Sequence, residues 1–206
     1  GDFNAFTGKE YAGYYVKVSA EHVDLACDVL SDMLKNATFP QEEIEKERGV
    51  IIEEARMYED TPMYRAGWDF ELLLYGDCPL GWDTIGTEEV IRSVTQKDFQ
   101  KHKEALYTPD NLVIAFGGRI DRAGATKLSQ KYFADIGGKK SQKFEPHTTF
   151  GTKRVLLRTK KTEQSHLVLG VPSVSALHED NLAHKLLAII LGGNMSSRMF
   201  LRIREA

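Results

Sequence analysis

The sequence predicts an α+β fold, in which helices pack on a mixed or antiparallel sheet. Three observations predict this class. The first 18 residues are rich in β-branched and aromatic side chains, apolar side chains at helical spacing dominate up to about residue 107, and short apolar runs return from residue 111 onward. A chain of 206 residues is also long enough to bury a sizeable core.

Each element follows from a local pattern. Residues 3–18 predict a hairpin or a bent pair of strands, because Gly8 and Lys9 separate two runs of strand-forming side chains. Pro40 predicts the start of a long acidic helix that ends before Pro62. The predicted helices are 20–36, 41–60, 63–75, 88–93, 96–107, 121–136 and 178–193, and the further strands are 111–118, 153–161 and 165–173.

A polar stretch divides the chain. Residues 137–151 contain Gly and Pro and lack periodicity, which predicts a linker between one unit at 1–136 and a second at 152–206. The chain begins without Met and ends within a predicted helix, so we expect both units to be incomplete.

Composition excludes several classes of function. The net charge of −3 gives no overall attraction to nucleic acid or to an anionic membrane, and no apolar run approaches the roughly 18 residues of a membrane helix. The two cysteines have no metal-binding spacing. We therefore expect no nucleic acid partner and no membrane association.

The helix at 41–60 carries two acids in an unusual position. At 100° per residue, Glu47 and Glu54 lie on the edge of an apolar stripe, which predicts that both carboxylates point toward the interior. A buried carboxylate pairs with a cation, binds a metal or shifts its pKa. An arginine partner or a solvated stripe edge remains an alternative. The stripe consists of Ile44, Ile51, Ala55 and Tyr58.

Four stretches together match the pattern of one family. They are GDFNAFTGKEYAGYYVKV at 1–18, EIEKERGVIIEEARMYEDTP at 43–62, PLGWDTIGTEEVIRSVTQKDFQKHKEALYTPDNLVIAFGG at 79–118 and LGGNMSSRMFLRIREA at 191–206. In this order they resemble the zinc metallopeptidases of the pitrilysin, insulinase and mitochondrial processing peptidase family, and bacterial processing proteases most of all. The resemblance implies duplicated α+β domains around a peptide chamber. Residues 1–136 would be the remainder of the N-terminal, zinc-bearing domain and residues 152–206 the start of the homologous C-terminal domain.

The resemblance also implies roles for the two acids. In that family a His-x-x-Glu-His motif supplies two zinc ligands and the glutamate that activates water, and a later glutamate completes the ligand set. By motif alignment Glu54 is the Zn²⁺ ligand and Glu47 is the catalytic supporting acid. None of the six histidines lies in such a motif, so the resemblance places it upstream of Gly1. We expect the full-length protein to be a zinc metalloendopeptidase and this chain alone to be inactive.

The first strand is the predicted substrate site. In the resembled family the strand equivalent to Asn4, Ala5, Phe6 and Thr7 binds a peptide by adding it as another strand, although an ordinary internal strand is equally compatible with these residues. The alternative function is a noncatalytic scaffold or substrate-binding subunit of a processing-peptidase-like heterodimer. The expected partners are a peptide substrate and a second subunit in a homo- or heterodimer. The expected compartment is the bacterial cytoplasm, with the mitochondrial matrix as alternative.

Overall fold

The structure is a computed structural model that describes residues 1–140, 147 and 149–205. Most of the predicted linker, residues 141–146 and 148, lies outside the described residues. Helices predominate. The elements are β1 (Asp2–Thr7), β2 (Ala12–Lys17), α1 (Val23–Asn36), α2 (Gln41–Asp60), α3 (Pro62–Tyr75), α4 (Glu88–Ser93), α5 (Gln96–Leu106), α6 (Arg122–Phe133) and α7 (Asn181–Gly192), with 3-10 turns at Ala20–His22 and Pro109–Asn111 and a π-helical turn at Phe200–Arg204.

The predicted hairpin is confirmed. Strands β1 and β2 pair antiparallel from Asp2 opposite Lys17 to Thr7 opposite Ala12. The Gly8 amide donates to the Tyr11 carbonyl at 2.8 Å and closes the turn. A Cβ atom at Gly13 would lie 2.3 Å from the ring of Phe6 on the neighbouring strand, so any larger residue there would require the Phe6 ring to move.

The predicted helices are also confirmed, with ends that follow from local side chains. Helix α5 begins with a capping box, in which the Asp98 carboxylate accepts from the Thr95 amide at 2.8 Å. Helix α6 begins at the Asp121 carboxylate, which accepts from the Gly124 amide at 2.8 Å. Pro62 separates α2 from α3.

The three further predicted strands are wrong. No strand is assigned within 111–118, 153–161 or 165–173. The apolar side chains of the first run are not buried either, since Val113 is 88% exposed. Alternating or continuous apolar residues favour an extended chain. A β-strand also needs a neighbouring strand for its backbone hydrogen bonds, and the described residues provide no neighbouring strand for these three runs.

Two packing centres position the helices. Helix α1 packs on α6 and β2, where Ala26 and Cys27 are buried, and α2 packs on α3 and α4, where Ile44 and Ile52 are buried. Within the described ranges no helix combines the length and the apolar character needed to cross a membrane.

Lysines cap the carboxyl ends of two helices. Lys35 Nζ donates to the Tyr132 carbonyl at 3.0 Å near the end of α6, and Lys103 Nζ donates to the Lys35 carbonyl at 2.6 Å near the end of α1. Both cations stabilise the negative end of a helix dipole and satisfy a terminal carbonyl. The carboxyl ends of α1 and α6 are thereby held beside α5.

Candidate functional site

Helix α2 carries both predicted site acids, and its buried face is not centred on the predicted stripe. Ile44 and Ile52 are buried, whereas Ile51 and Ala55 are only half-buried. At 100° per residue the midpoint between the two buried isoleucines lies about 40° from Ile44, at the position of Arg48. The face that packs against the rest of the chain is therefore rotated relative to the stripe.

Arg48 explains the rotation. Its guanidinium donates to the carbonyl of Ile91 and, at 3.0 Å, to that of Val94 at the end of α4, while its side chain is only 12% exposed. An arginine can lie at the centre of a packed face because its apolar stem packs while its guanidinium satisfies helix-terminal carbonyls. Helix α4 therefore covers a side of α2 that apolar residues alone do not reveal.

The predicted inward orientation of the two acids is wrong for this chain. Glu47 and Glu54 are both exposed. They lie about 100° and about 120° from the centre of the buried face, which puts them beyond its edge. Exposure removes the argument that burial forces these carboxylates to find a cation, but it leaves them accessible to a ligand.

Glu54 has an aromatic neighbour on the same helix. The Tyr58 side chain lies one turn later on α2, and the interaction of its hydroxyl with the Glu54 carboxylate raises the pKa of Tyr58. The Tyr58 ring is itself fixed by edge contact with Tyr64 at 5.1 Å and by a tilted contact with Trp68 at 5.2 Å between ring centroids. An aromatic cluster at the α2–α3 corner thus holds the Tyr58 side chain beside Glu54.

The described residues do not by themselves complete a zinc site. A catalytic zinc ion takes three protein ligands, usually His and carboxylate side chains. In residues 1–140, 147 and 149–205 no three His, Cys, Asp or Glu side chains are grouped so that they could hold a metal ion. Glu54 offers one oxygen ligand of a type that zinc accepts, and its assignment as that ligand stays a prediction.

Strand β1, the predicted substrate strand, lies at a sheet edge. Residues Asn4 to Thr7 pair with β2 on one side, and the sheet that the described residues form has only these two strands. All four of these residues are exposed. An exposed edge presents unpaired backbone N–H and C=O groups, which is the requirement for adding a peptide strand. The substrate role itself stays a prediction.

Sequence comparison identifies the family. The domain model described as "Peptidase M16 inactive domain" matches residues 93–206, which is more than half of the chain, and the model described as "Insulinase (Peptidase family M16)" matches residues 1–69. The chain belongs to the M16 peptidase family. Glu47 and Glu54 fall within the insulinase match. The division into units at 1–136 and 152–206 stays a prediction.

Relatives and solved structures agree with this assignment. The chain is 38% identical to the zinc protease YmxG of Bacillus subtilis over 205 residues, which cover 100% of this chain and 50% of that protein. The fold is similar to that of a protease from Helicobacter pylori, with a TM-score of 0.77 and 20% identity over 98% of this chain and 50% of the other. It is also similar to a peptidase M16 inactive domain from Pseudomonas fluorescens, with a TM-score of 0.78 and 19% identity over 99% of this chain and 50% of the other.

The similarity to the M16 fold confirms the predicted mixture of helices with a small antiparallel sheet. The chain spans about half the length of the curated relatives that it matches. Those relatives are named zinc proteases, so the family resemblance expected from the motifs is confirmed.

One buried acid escaped prediction. Asp69 on α3 is buried between the guanidinium groups of Arg65 and Arg158. Arg65 and Asp69 are four residues apart on a predicted helix, which indicates a helix ion pair. No sequence pattern predicts the second partner of Asp69, Arg158, because it lies 89 residues further along the chain.

Proposed function

We propose that this chain is part of a zinc-dependent metalloendopeptidase that cleaves peptides or unfolded segments. The observation that supports this proposal most is the match of residues 1–69 to the insulinase family, since that match includes both acids of α2. The zinc protease names of the relatives add support for the same chemistry.

Glu54 is the proposed zinc ligand of this chain. Its carboxylate is exposed, so one oxygen can bind a metal ion without displacing a packed side chain. The other ligands are two histidines of a His-x-x-Glu-His motif, which we expect upstream of Gly1 in a protein of the relatives' length. A zinc ion bound in this way supplies a Lewis acid and a water molecule of lowered pKa.

Glu47 is the proposed supporting acid. It lies two turns before Glu54 and within about 20° of it around the helix, so both carboxylates extend from the same side of α2. A carboxylate in that place can accept the ring N–H of a ligand histidine and fix its orientation. We assign Glu47 this role in orienting the ligand set.

Strand β1 is the proposed substrate strand. Pairing through the backbone accepts many peptide sequences, which suits a peptidase that acts on unfolded segments. The exposed side chains of Asn4 and Phe6 would contribute preference at alternate positions of the bound peptide. The relatives support a bacterial origin, and the proposed compartment is the cytoplasm.

Peptide hydrolysis by the full-length protein tests the proposal. Cleavage of a mixed library of quenched fluorescent peptides is measured for the wild type, for Glu54→Gln and for Glu53→Gln. Glu53 is the matched control, because it is an exposed acid on the same helix whose partner is Arg56 at 2.6 Å. We expect Glu54→Gln to reduce hydrolysis to background and Glu53→Gln to leave it unchanged. Equal rates for all three proteins would refute the assignment.

A noncatalytic subunit of a heterodimer is the second candidate. Residues 93–206 match a domain model described as inactive, which favours a scaffold or substrate-binding role. The gene sequence upstream of Gly1 discriminates between the two functions. A His-x-x-Glu-His motif there supports the peptidase, and its absence supports the noncatalytic subunit.

A further inference from the structure

Asp69 is a buried carboxylate that joins two distant parts of the chain. The residue is 5% exposed, yet its side chain accepts four N–H groups. Arg65 donates to Oδ1 through Nε at 3.0 Å and through Nη2 at 2.7 Å. Arg158 donates through Nε to Oδ2 at 2.6 Å and through Nη2 to Oδ1 at 2.9 Å. The carboxylate therefore bridges a guanidinium of its own helix and one beyond the predicted linker.

The surrounding charges keep Asp69 ionised. Burial alone would raise the pKa of Asp69, but hydrogen bonds from Arg158 and Arg65 outweigh it and hold that pKa below its ordinary value. Arg65 also contacts Asp83 at 2.7 Å and Glu59 at 3.2 Å. Two guanidinium groups thus lie among three carboxylates, so no buried charge in the network lacks an opposite one.

Residues 151–170, here called the 151–170 segment, lie along α3. The Gly151 amide donates to the Leu74 carbonyl at 2.7 Å, and a Cβ atom at Gly170 would lie 2.3 Å from the Phe70 ring. Lys160 Nζ donates to Asp60 Oδ1 at 2.8 Å, at the end of α2. The segment therefore contacts the α2–α3 corner and the carboxyl-terminal half of α3.

Apolar packing contributes to this contact only in part, through Leu156 and Val168, which line a cleft with Phe70 of α3 and are 40% and 42% exposed. This cleft of about 470 Å³ separates α3 from the segment, and the segment's Val155, Leu157 and Leu167 are 79%, 88% and 90% exposed. No strand pairing holds the segment either, within the part of the chain that the structure describes. The charged contacts of Arg158 and Lys160 therefore attach the segment alongside the Gly151 hydrogen bond.

We propose that Asp69 is a clamp that holds the 151–170 segment on α3. The ion pair of Asp69 with Arg65 is internal to α3, whereas its pair with Arg158 spans the contact. Breaking the second pair releases the segment and leaves α3 folded. This clamp sets the position of the chain beyond residue 151 relative to the helices that carry the candidate site.

Limited trypsin digestion of the full-length protein, with cleavage sites identified by mass spectrometry, tests the clamp. Arg158→Gln is the main variant, because Arg158 is 48% exposed and its loss leaves the Arg65–Asp69 pair in place. We expect cleavage after Lys160 and Lys161 to accelerate about tenfold, since cleavage of a segment follows the population of its released state. Cleavage after Lys127 and Lys131 in α6 should not change.

Three further variants complete the test. Arg56→Gln is the matched control, since it removes an arginine whose partners, Glu53 and Glu88, lie at the surface. It should leave both cleavage rates unchanged. Asp69→Asn should accelerate cleavage of the segment as Arg158→Gln does, and the double variant should add nothing further. If Asp69→Asn does not fold, Arg158→Gln alone decides.

The clamp is overturned if Arg158→Gln leaves cleavage after Lys160 and Lys161 unchanged. It is equally overturned if cleavage in α6 accelerates by the same factor, because the variant would then destabilise the whole chain. An acceleration confined to the 151–170 segment supports the clamp.

Discussion

Two acids on neighbouring helices have opposite surroundings. Asp69 on α3 is buried and accepts hydrogen bonds from two arginines, whereas Glu54 on α2 is exposed and contacts the hydroxyl of Tyr58. Burial of Asp69 is tolerated because opposite charges from α3 and from the 151–170 segment surround it. Glu54 keeps an accessible carboxylate, as the proposed ligand role requires. The comparison separates an acid that holds the fold together from an acid that is available for chemistry.

The largest expected effect concerns stability. Asp69→Ala in the metal-free protein should lower the free energy of unfolding by about 1.5–3 kcal/mol, because it removes one of the two carboxylates that lie 2.7 Å from the nearly buried guanidinium of Arg65 and leaves Asp83 as the other. Glu54→Ala should change it by less than about 0.5 kcal/mol, as is usual for an exposed residue. Urea denaturation followed by circular dichroism measures both. Similar losses of unfolding free energy in Asp69→Ala and Glu54→Ala would contradict the proposed difference between the two acids.

Acid should remove part of the same stabilisation. The folded-state pKa of Asp69 lies below its ordinary value, so its contribution is complete above about pH 4 and is lost as the pH falls through the lower folded-state pKa. The loss should be smaller than that of Asp69→Ala, because a protonated carboxyl still forms hydrogen bonds. Unfolding free energies of the wild type and of Asp69→Asn are compared from pH 6 to pH 2. If the unfolding free energies of the wild type and of Asp69→Asn differ by a constant amount from pH 6 to pH 2, ionised Asp69 does not contribute to the pH dependence of stability.

A smaller effect is expected at Glu47. If it orients a ligand histidine in the full-length protein, Glu47→Gln should weaken zinc binding about 10–100-fold, which is the usual cost of losing such a contact. Competition with a chelator of known affinity measures the zinc dissociation constant. Glu45→Gln, a change of an exposed acid that pairs with Arg48 at 3.1 Å, is the control. Equal zinc affinity for Glu47→Gln and the wild type would remove Glu47 from the site.

Much of the helical structure could be predicted from the sequence because its signals are local. The capping box of Thr95 and Asp98 and the break at Pro62 depend on residues within one turn of each other. The hairpin at 2–17 is local in the same sense. The strands expected at 111–118, 153–161 and 165–173 depend on neighbours that a local pattern does not contain.

The orientation of α2 could not be predicted from the sequence either, because it also depends on residues that are distant along the chain. Apolar spacing placed the buried face near Ile51 and Ala55, but a long arginine side chain at Arg48 takes the centre of that face. Its partners are carbonyls of α4, more than 40 residues away. Periodicity treats such an arginine as polar and exposed, so the predicted direction of Glu47 and Glu54 was wrong, although their place on α2 was right.

Zinc content of the full-length protein tests the central claim, that Glu54 is the metal ligand which this chain supplies. The wild type, Glu54→Gln and the control Glu53→Gln are purified without chelator and analysed for zinc per protein chain by plasma mass spectrometry. We expect about one zinc ion in the wild type and in the control, as for a single catalytic site, and none in Glu54→Gln. One zinc ion retained by Glu54→Gln would contradict the account.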